Sequence, residues 1–134
     1  MNDKHGLVGR LRLVLRLNSA SCLLCGLALA IWPNGIGAVL GNAIPGVLLG
    51  LGLVLIFNGV HLILASNRKP IRFYEVAYFA SGDFIWVIAT FVIVIAKLGI
   101  VTVFGSVLAI AIAAMVGTFG LLQTRYAFAA RKEG

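Results

Sequence analysis

Long apolar runs separated by short polar breaks dominate the chain. Lysine, arginine, aspartate and glutamate are all absent between Asn18 and Asn67, and a second uncharged run extends from Leu98 to Thr124. A third apolar run lies between them and carries one acid, Asp83, in its middle. A helix needs about 20 such residues to cross the hydrocarbon core of a bilayer. The pattern therefore predicts a protein that spans a membrane several times.

The spacing of the runs predicts an all-α fold with one domain over residues 1–134. The predicted transmembrane helices cover about residues 13–32, 45–65, 74–95 and 99–123. We expect Pro33, Asn34 and Gly35 to end the first helix, because proline cannot continue the hydrogen-bond ladder and Asn-Gly favours a turn. The later breaks are short, so consecutive helices should form antiparallel hairpins. The expected architecture is an up-down-up-down four-helix membrane bundle.

Composition and charge support this interpretation and exclude others. Of the 134 residues, 61% are hydrophobic, compared with about 45–50% in soluble domains. The net charge of +7 does not indicate nucleic-acid binding, because the cations lie in clusters between apolar runs and not along one solvated face. We therefore expect the lipid bilayer as a partner and no nucleic acid.

The positions of the cations predict the orientation. Ten of the eleven fall on one side of a four-span chain: Lys4, Arg10, Arg12, Arg16, Arg68, Lys69, Arg72, Arg125, Arg131 and Lys132. Lys97 alone falls on the other side. The positive-inside rule then places both termini in the cytoplasm, in a bacterial inner membrane. A cleavable signal peptide would need a small-x-small site after the first apolar run, and Ile31, Trp32 and Pro33 do not provide one, so we expect this span to be retained.

The segment 33–44, on the side opposite the cation clusters, is uncharged and contains three glycines. It is consistent either with an interfacial loop that leads into the second span or with a re-entrant segment, because irregular backbone can enter a membrane where protein or water satisfies it.

Asp83 is the leading candidate for a functional residue. An ionisable group at membrane depth costs about 2.5–3.5 kcal/mol on insertion scales and often marks function. Asp83 follows Glu75 by eight residues, which is roughly 12 Å along a helix. Trp86 and Thr90 share its helix face.

Two groups on neighbouring helices could pair with Asp83. With His61 of the second span, Asp83 could form a proton relay or coupling site. Alternatively, Asp83 pairs with Arg16 or hydrogen-bonds to polar groups of the first span, where Asn18 lies, and so locks the bundle. Asn58 of the second span is a further polar candidate.

Redox and metal chemistry have weaker support. His61 could bind haem, but the only other histidine, His5, lies outside the spans. Cys22 and Cys25 have CxxC spacing but lie inside an apolar helix, where thiols behave as small hydrophobic groups. We expect no cofactor, no metal and no enzyme activity.

Small residues recur at helical spacing in two spans. The fourth has Ala109, Ala113, Gly117 and Gly120, and the second has Gly46 and Gly50. Such seams allow helices to approach closely in lipid. One seam could pack within the chain and the other in a homodimer, and the sequence does not assign them.

The chain resembles small uncharacterised bacterial inner-membrane proteins with four spans, through Asn18, Gly59, Asp83, Trp86 and Val87. The resemblance implies the fold but no activity. Small multidrug resistance exporters are similar in size, but their essential glutamate lies in the first span, which has no carboxylate here.

Three classes of function follow from the sequence. We favour a non-catalytic structural or accessory subunit of a larger membrane complex. The alternative is a small proton- or cation-coupled transporter or channel that acts as a homo-oligomer around Asp83. A haem- or quinone-linked redox protein is the third.

Overall fold

The computed structural model describes residues 3–133, and the side chains of residues 5–132, as an all-helical protein. Its five helices are α1 (Asp3–Ile31), α2 (Pro33–Leu40), α3 (Pro45–Ser66), α4 (Phe73–Ala96) and α5 (Val103–Glu133). The four longer helices, α1, α3, α4 and α5, are each long and apolar enough to cross a membrane. The predicted four-helix membrane bundle is therefore confirmed.

The contacts between helix ends establish the up-down-up-down arrangement. Midway along α1, the Arg16 guanidinium donates a 2.9 Å hydrogen bond to the Asn67 side chain, just after α3 ends, so the first half of α1 extends toward and beyond this end of α3. The Arg131 guanidinium, near the end of α5, lies 5.8 Å from the centre of the Phe73 ring, where α4 begins. Both ends of the described chain therefore lie at the same end of the bundle. We call this the terminal end, and the opposite one the loop end.

At the loop end, the predicted turn after the first span is in fact the start of α2. Pro33 occupies the first turn of this helix, where its missing N–H needs no partner. The carbonyl of Leu40 accepts the Val101 N–H at 2.9 Å, and the Thr102 hydroxyl donates to the Val39 carbonyl at 2.7 Å. The segment after α1 is thus joined by hydrogen bonds to the connection between α4 and α5.

Two helices extend well beyond the predicted spans at the terminal end. α1 begins at Asp3 and not near residue 13, and α5 continues to Glu133 and not only to Gln123. Hydropathy marks the length that fits the hydrocarbon core. Lysine, arginine and glutamate are good helix formers, so both helices continue into the polar region without a break.

The helices pack in pairs, α1 along α3 and α4 along α5, and α1 also contacts α5. α3 and α4 are consecutive in the sequence, yet they approach each other closely at few positions. One contact near the terminal end is between the rings of His61 and Phe79, whose centres lie 4.8 Å apart. The hydrophobic core also lies toward this end and includes Leu11, Leu15, Leu62, Ala65, Val76 and Phe79. Beyond these contacts, a groove separates α3 from α4.

Candidate functional site

Three buried polar side chains from three helices meet around one carboxylate oxygen. Asn18 of α1 donates from Nδ2 to Oδ2 of Asp83 at 3.0 Å, and Gln123 of α5 donates from Nε2 to the same oxygen at 2.7 Å. Asn18 Nδ2 also lies 3.2 Å from Gln123 Oε1. Asn18 is 1%, Asp83 6% and Gln123 0% exposed. We call these three residues the polar cluster, and its hydrogen bonds join α1, α4 and α5.

Weaker contacts extend the polar cluster to α3. The Cys22 thiol lies 3.7 Å from Asn18 Oδ1, and Asn58 Nδ2 lies 3.5 Å from the Cys22 sulfur. Oδ1 of Asp83 accepts no hydrogen bond from the described residues, and it is not sealed off by protein atoms. One oxygen of Asp83 therefore belongs to the cluster, and the other is open to a further partner.

Asp83 lines the groove between α3 and α4, which has a volume of about 340 Å³. We call this cavity the α3/α4 groove. Asn18 and Cys22 of α1 also line it, and Met115 contributes from α5. The aromatic side chains in its lining are Phe57, Tyr78, Phe79 and Trp86. The groove thus combines one carboxylate with a largely apolar, aromatic wall.

His61 is engaged at the terminal end and does not meet Asp83. Its Nε2 lies 3.0 Å from Oε2 of Glu75, one of two buried acids on α4. The Arg68 Nε lies 2.8 Å from the other oxygen of Glu75. The structure therefore brings together His61, Glu75 and Arg68, and places Asp83 two helical turns farther along α4.

The other sequence candidates take local roles. Arg16 is exposed and contacts Asn67, not Asp83. The Thr90 hydroxyl donates to the Trp86 carbonyl of its own helix at 2.8 Å. The indole of Trp86 is half-buried and lines the α3/α4 groove.

The two small-residue seams have different surroundings. A Cβ atom on Gly117 would lie 3.3 Å from the Val87 side chain, and one on Gly120 would lie 3.2 Å from Asp83 Cβ. Ala113 is buried and Ala109 is half-buried on the same helix. Most of this seam therefore packs inside the bundle.

On α3, by contrast, Gly46 and Gly50 are exposed, and a Cβ atom on either would have nothing within 4 Å. Two other glycines of α3 pack inward. A Cβ atom on Gly52 would lie 2.7 Å from the Gly26 carbonyl oxygen, and one on Gly59 would lie 2.7 Å from the Leu23 side chain. α3 therefore presents glycines on two faces, and the described part of the chain packs closely against the inner face alone.

Sequence reasoning missed two residues of these clusters. The last predicted span ends at Gln123, although this residue follows Gly117 and Gly120 at helical spacing on the face that packs inward. In the sequence, Glu75 serves only as the reference point for the position of Asp83 along its helix, although its 6% exposure shows that it is buried. The helical periodicity of α5 could have identified Gln123.

Among the described residues, no group of three or more histidine, cysteine, aspartate or glutamate side chains could hold a metal ion. The four apolar helices show an integral, multi-pass membrane protein in contact with the lipid bilayer. Comparisons of the chain with protein-family models, curated proteins and solved structures found no match.

Proposed function

We propose that this chain is a non-catalytic accessory subunit of a larger complex in a bacterial inner membrane. The observation that carries the proposal is the outer face of α3, where Gly46 and Gly50 lie one helical turn apart, are exposed, and have no described atom of a neighbouring helix within 4 Å of their Cβ positions. The occupant we infer for this face is a transmembrane helix of another subunit.

Gly50, which lies inside α3, has a cost that the described chain alone does not offset. In a helix interior, glycine is roughly 0.5–1 kcal/mol less favourable than alanine. On the inner face, the absence of a side chain permits the close crossing of Gly52 over Gly26, and Gly59 accepts a 2.6 Å hydrogen bond from the Ser19 hydroxyl. Paired small residues promote the same close approach between transmembrane helices of different chains. A partner helix would make Gly46 and Gly50 favourable in the same way.

The polar cluster supports a framework role for the polar residues inside the bundle. Asp83 accepts hydrogen bonds from α1 and α5, whereas His61 contacts Glu75. A proton relay from Asp83 through His61 would require these two side chains to meet. The arrangement instead holds the helices in fixed positions, which suits a subunit that presents a surface.

The charge distribution supports an orientation with the terminal end in the cytoplasm. Ten of the eleven lysines and arginines lie in the three sequence clusters that α1, α3, α4 and α5 bring to the terminal end. Lys97 lies in the short connection at the loop end. Short cytoplasmic loops carry this excess of cations in multi-pass inner-membrane proteins.

Purification of the tagged chain in mild detergent tests the accessory role. We expect a stoichiometric partner that is lost with Gly50→Ile and kept with Gly9→Ile. Gly9 is a matched control because it is an exposed glycine on α1 with nothing within 4 Å of its Cβ position. A homodimer that Gly50→Ile disrupts would identify the partner as a second copy. A monomer, or a partner that Gly50→Ile does not affect, would contradict the proposal.

A second candidate is a small proton- or cation-coupled transporter or channel, formed by a homo-oligomer around Asp83. The specific observation in its favour is that Asp83 lines the α3/α4 groove and that its Oδ1 accepts no hydrogen bond from the described residues. Liposomes that contain the protein should then show proton- or cation-dependent flux that Asp83→Asn abolishes. Liposomes that show no flux above protein-free controls would reject this candidate.

A further inference from the structure

The described residues that line the α3/α4 groove include one acidic side chain, that of Asp83, and no lysine or arginine. Oδ2 of Asp83 accepts both amide hydrogen bonds of the polar cluster, whereas Oδ1 accepts none from the described residues. A carboxylate is costly in apolar surroundings unless a cation or further hydrogen bonds compensate it. The open oxygen therefore favours a positively charged occupant.

The groups beside Asp83 indicate what kind of cation fits. Asn18 and Gln123 turn their N–H groups toward the carboxylate, so their donors and not their carbonyl oxygens lie next to it. A hard metal cation requires several oxygen ligands, about six or more for Ca²⁺, which these orientations do not supply. An organic cation needs only one carboxylate together with a surface for its apolar groups.

The wall of the groove provides that surface. Phe57 and Tyr78 are 72% and 60% exposed, and the half-buried indole of Trp86 lies one turn from Asp83. Aromatic faces attract organic cations, most strongly where water is excluded. The volume of about 340 Å³ is within the range of small-molecule sites, roughly 300–1,000 Å³, and is too small for a helix. A lipid acyl chain could fill it but would leave the carboxylate unpaired.

We propose that the α3/α4 groove binds a small lipophilic organic cation, with its charged centre at Asp83 and its apolar groups against Phe57, Tyr78 and Trp86. The site lies between two membrane-spanning helices, so the ligand reaches it from the bilayer. The inference deepens the second candidate function by naming its substrate class, and it is independent of the accessory role of the outer face of α3.

Binding of tetraphenylphosphonium to the protein in lipid nanodiscs tests the inference, with empty nanodiscs to subtract partitioning. Tetraphenylborate has the same shape and the opposite charge. We expect saturable binding of the cation, with at most weak binding of the anion. Asp83→Asn should lower the affinity for tetraphenylphosphonium at least about tenfold, because it removes the charge that pairs with the ligand and keeps the side-chain size.

Glu75→Gln is the matched control for Asp83→Asn. Glu75 is the other buried acid on α4 and has the same 6% exposure, but it does not line the groove. We expect the affinity of Glu75→Gln for tetraphenylphosphonium to remain within about twofold of that of the wild type. Trp86→Leu keeps the carboxylate and tests the aromatic wall, so it covers the case in which Asp83→Asn does not fold. We expect it to weaken cation binding by about threefold or more.

Equal binding of the two ions, or unchanged affinity for tetraphenylphosphonium in a folded Asp83→Asn variant, would overturn the inference. If Asp83→Asn does not fold, unchanged affinity in Trp86→Leu would overturn it. Saturable, Asp83-dependent binding without flux in liposomes would support the site while rejecting transport. The two proposals therefore fail in distinguishable ways.

Discussion

Asn18 and Asp83 are 65 residues apart in the sequence, and a single 3.0 Å hydrogen bond joins them between α1 and α4. These two helices do not pack along their lengths. The hydrogen bond therefore connects α1 to α4 at a single position, where the Asn18 amide also lies within hydrogen-bond distance of Gln123 on α5. The same carboxylate joins three helices on one side and borders the α3/α4 groove on the other.

Removal of the Asn18 amide should destabilise the bundle. Asn18→Ala leaves Asp83 with one donor fewer in a buried site. We expect the free energy of unfolding to fall by about 1–2 kcal/mol, near the upper end for hydrogen bonds between membrane helices. Titration with sodium dodecyl sulfate, followed by circular dichroism, measures the change.

Asn67→Ala provides the control for this prediction. It is the same substitution at an exposed asparagine whose side chain, among the described residues, hydrogen-bonds only to Arg16. We expect a change below about 0.5 kcal/mol, as for most surface substitutions. Equal effects at the two positions would show that the buried hydrogen bonds add no stability.

The fold could be predicted from the sequence because a bilayer restricts the options. Only a few backbone arrangements satisfy every polar backbone group in hydrocarbon, so long uncharged runs are sufficient to predict spans and their alternating direction. The predicted bounds of α3 and α4 lie within one residue of those in the structure, but the short helix α2 could not be predicted, because its position depends on hydrogen bonds between distant segments. The pairing of Thr102 with the carbonyls of Val39 and Leu40 has no signal in hydropathy.

The candidate site was only partly predictable. An acid inside a span had to have polar partners, and Asn18 was among the candidates, but the choice between Asn18, His61 and Arg16 depends on the rotation of each helix about its axis. Hydropathy contains little information on rotation. The packing of Gly120 against Asp83 sets the rotation of α5 and brings Gln123 to the carboxylate.

The two faces of α3 should respond in opposite ways to the same substitution. A Cβ atom at Gly52 would lie 2.7 Å from the Gly26 carbonyl oxygen, so Gly52→Ala forces α1 and α3 apart. We expect a loss of about 1–3 kcal/mol in unfolding free energy. Gly50→Ala has open space at its Cβ position and should be neutral or stabilising by up to about 1 kcal/mol.

The measurement is the same detergent titration, made on the isolated protein so that no partner helix contributes. Both variants replace glycine by alanine on the same helix, two residues apart. The intrinsic helix propensity of the new residue is therefore the same in both, and a difference in stability reports on the surroundings of each position. If the Gly52→Ala variant proved as stable as the Gly50→Ala variant, then α1 and α3 would not cross as closely at Gly52 as the structure shows.

Reporter fusions should place the terminal end of the bundle in the cytoplasm. The cation clusters favour this orientation in inner-membrane proteins. We expect green fluorescent protein to fluoresce when fused after Lys132. Alkaline phosphatase should be active when inserted at Asn34 or in the connection at Lys97, both at the loop end. Active phosphatase after Lys132 would contradict the proposed orientation.

The contact between α2 and the connection before α5 should depend on one hydroxyl group. Thr102 donates to the Val39 carbonyl at 2.7 Å and accepts the Gly105 N–H at 2.9 Å, so it joins α2 and also caps the first turn of α5. Thr102→Val keeps the shape and removes both bonds, and loss of a cap costs about 0.5–2 kcal/mol. Hydrogen exchange measured by mass spectrometry should then accelerate in segments 33–44 and 99–105.

Thr118→Val is the matched control, because the Thr118 hydroxyl is exposed and donates only to the Ala114 carbonyl of its own helix. Its exchange pattern at the loop end should match that of the wild type. The backbone bonds from Val101 and Thr102 to Leu40 remain in both variants, so we expect local opening and not loss of the bundle. Unchanged exchange in Thr102→Val would show that these backbone bonds alone hold α2 against the end of the bundle.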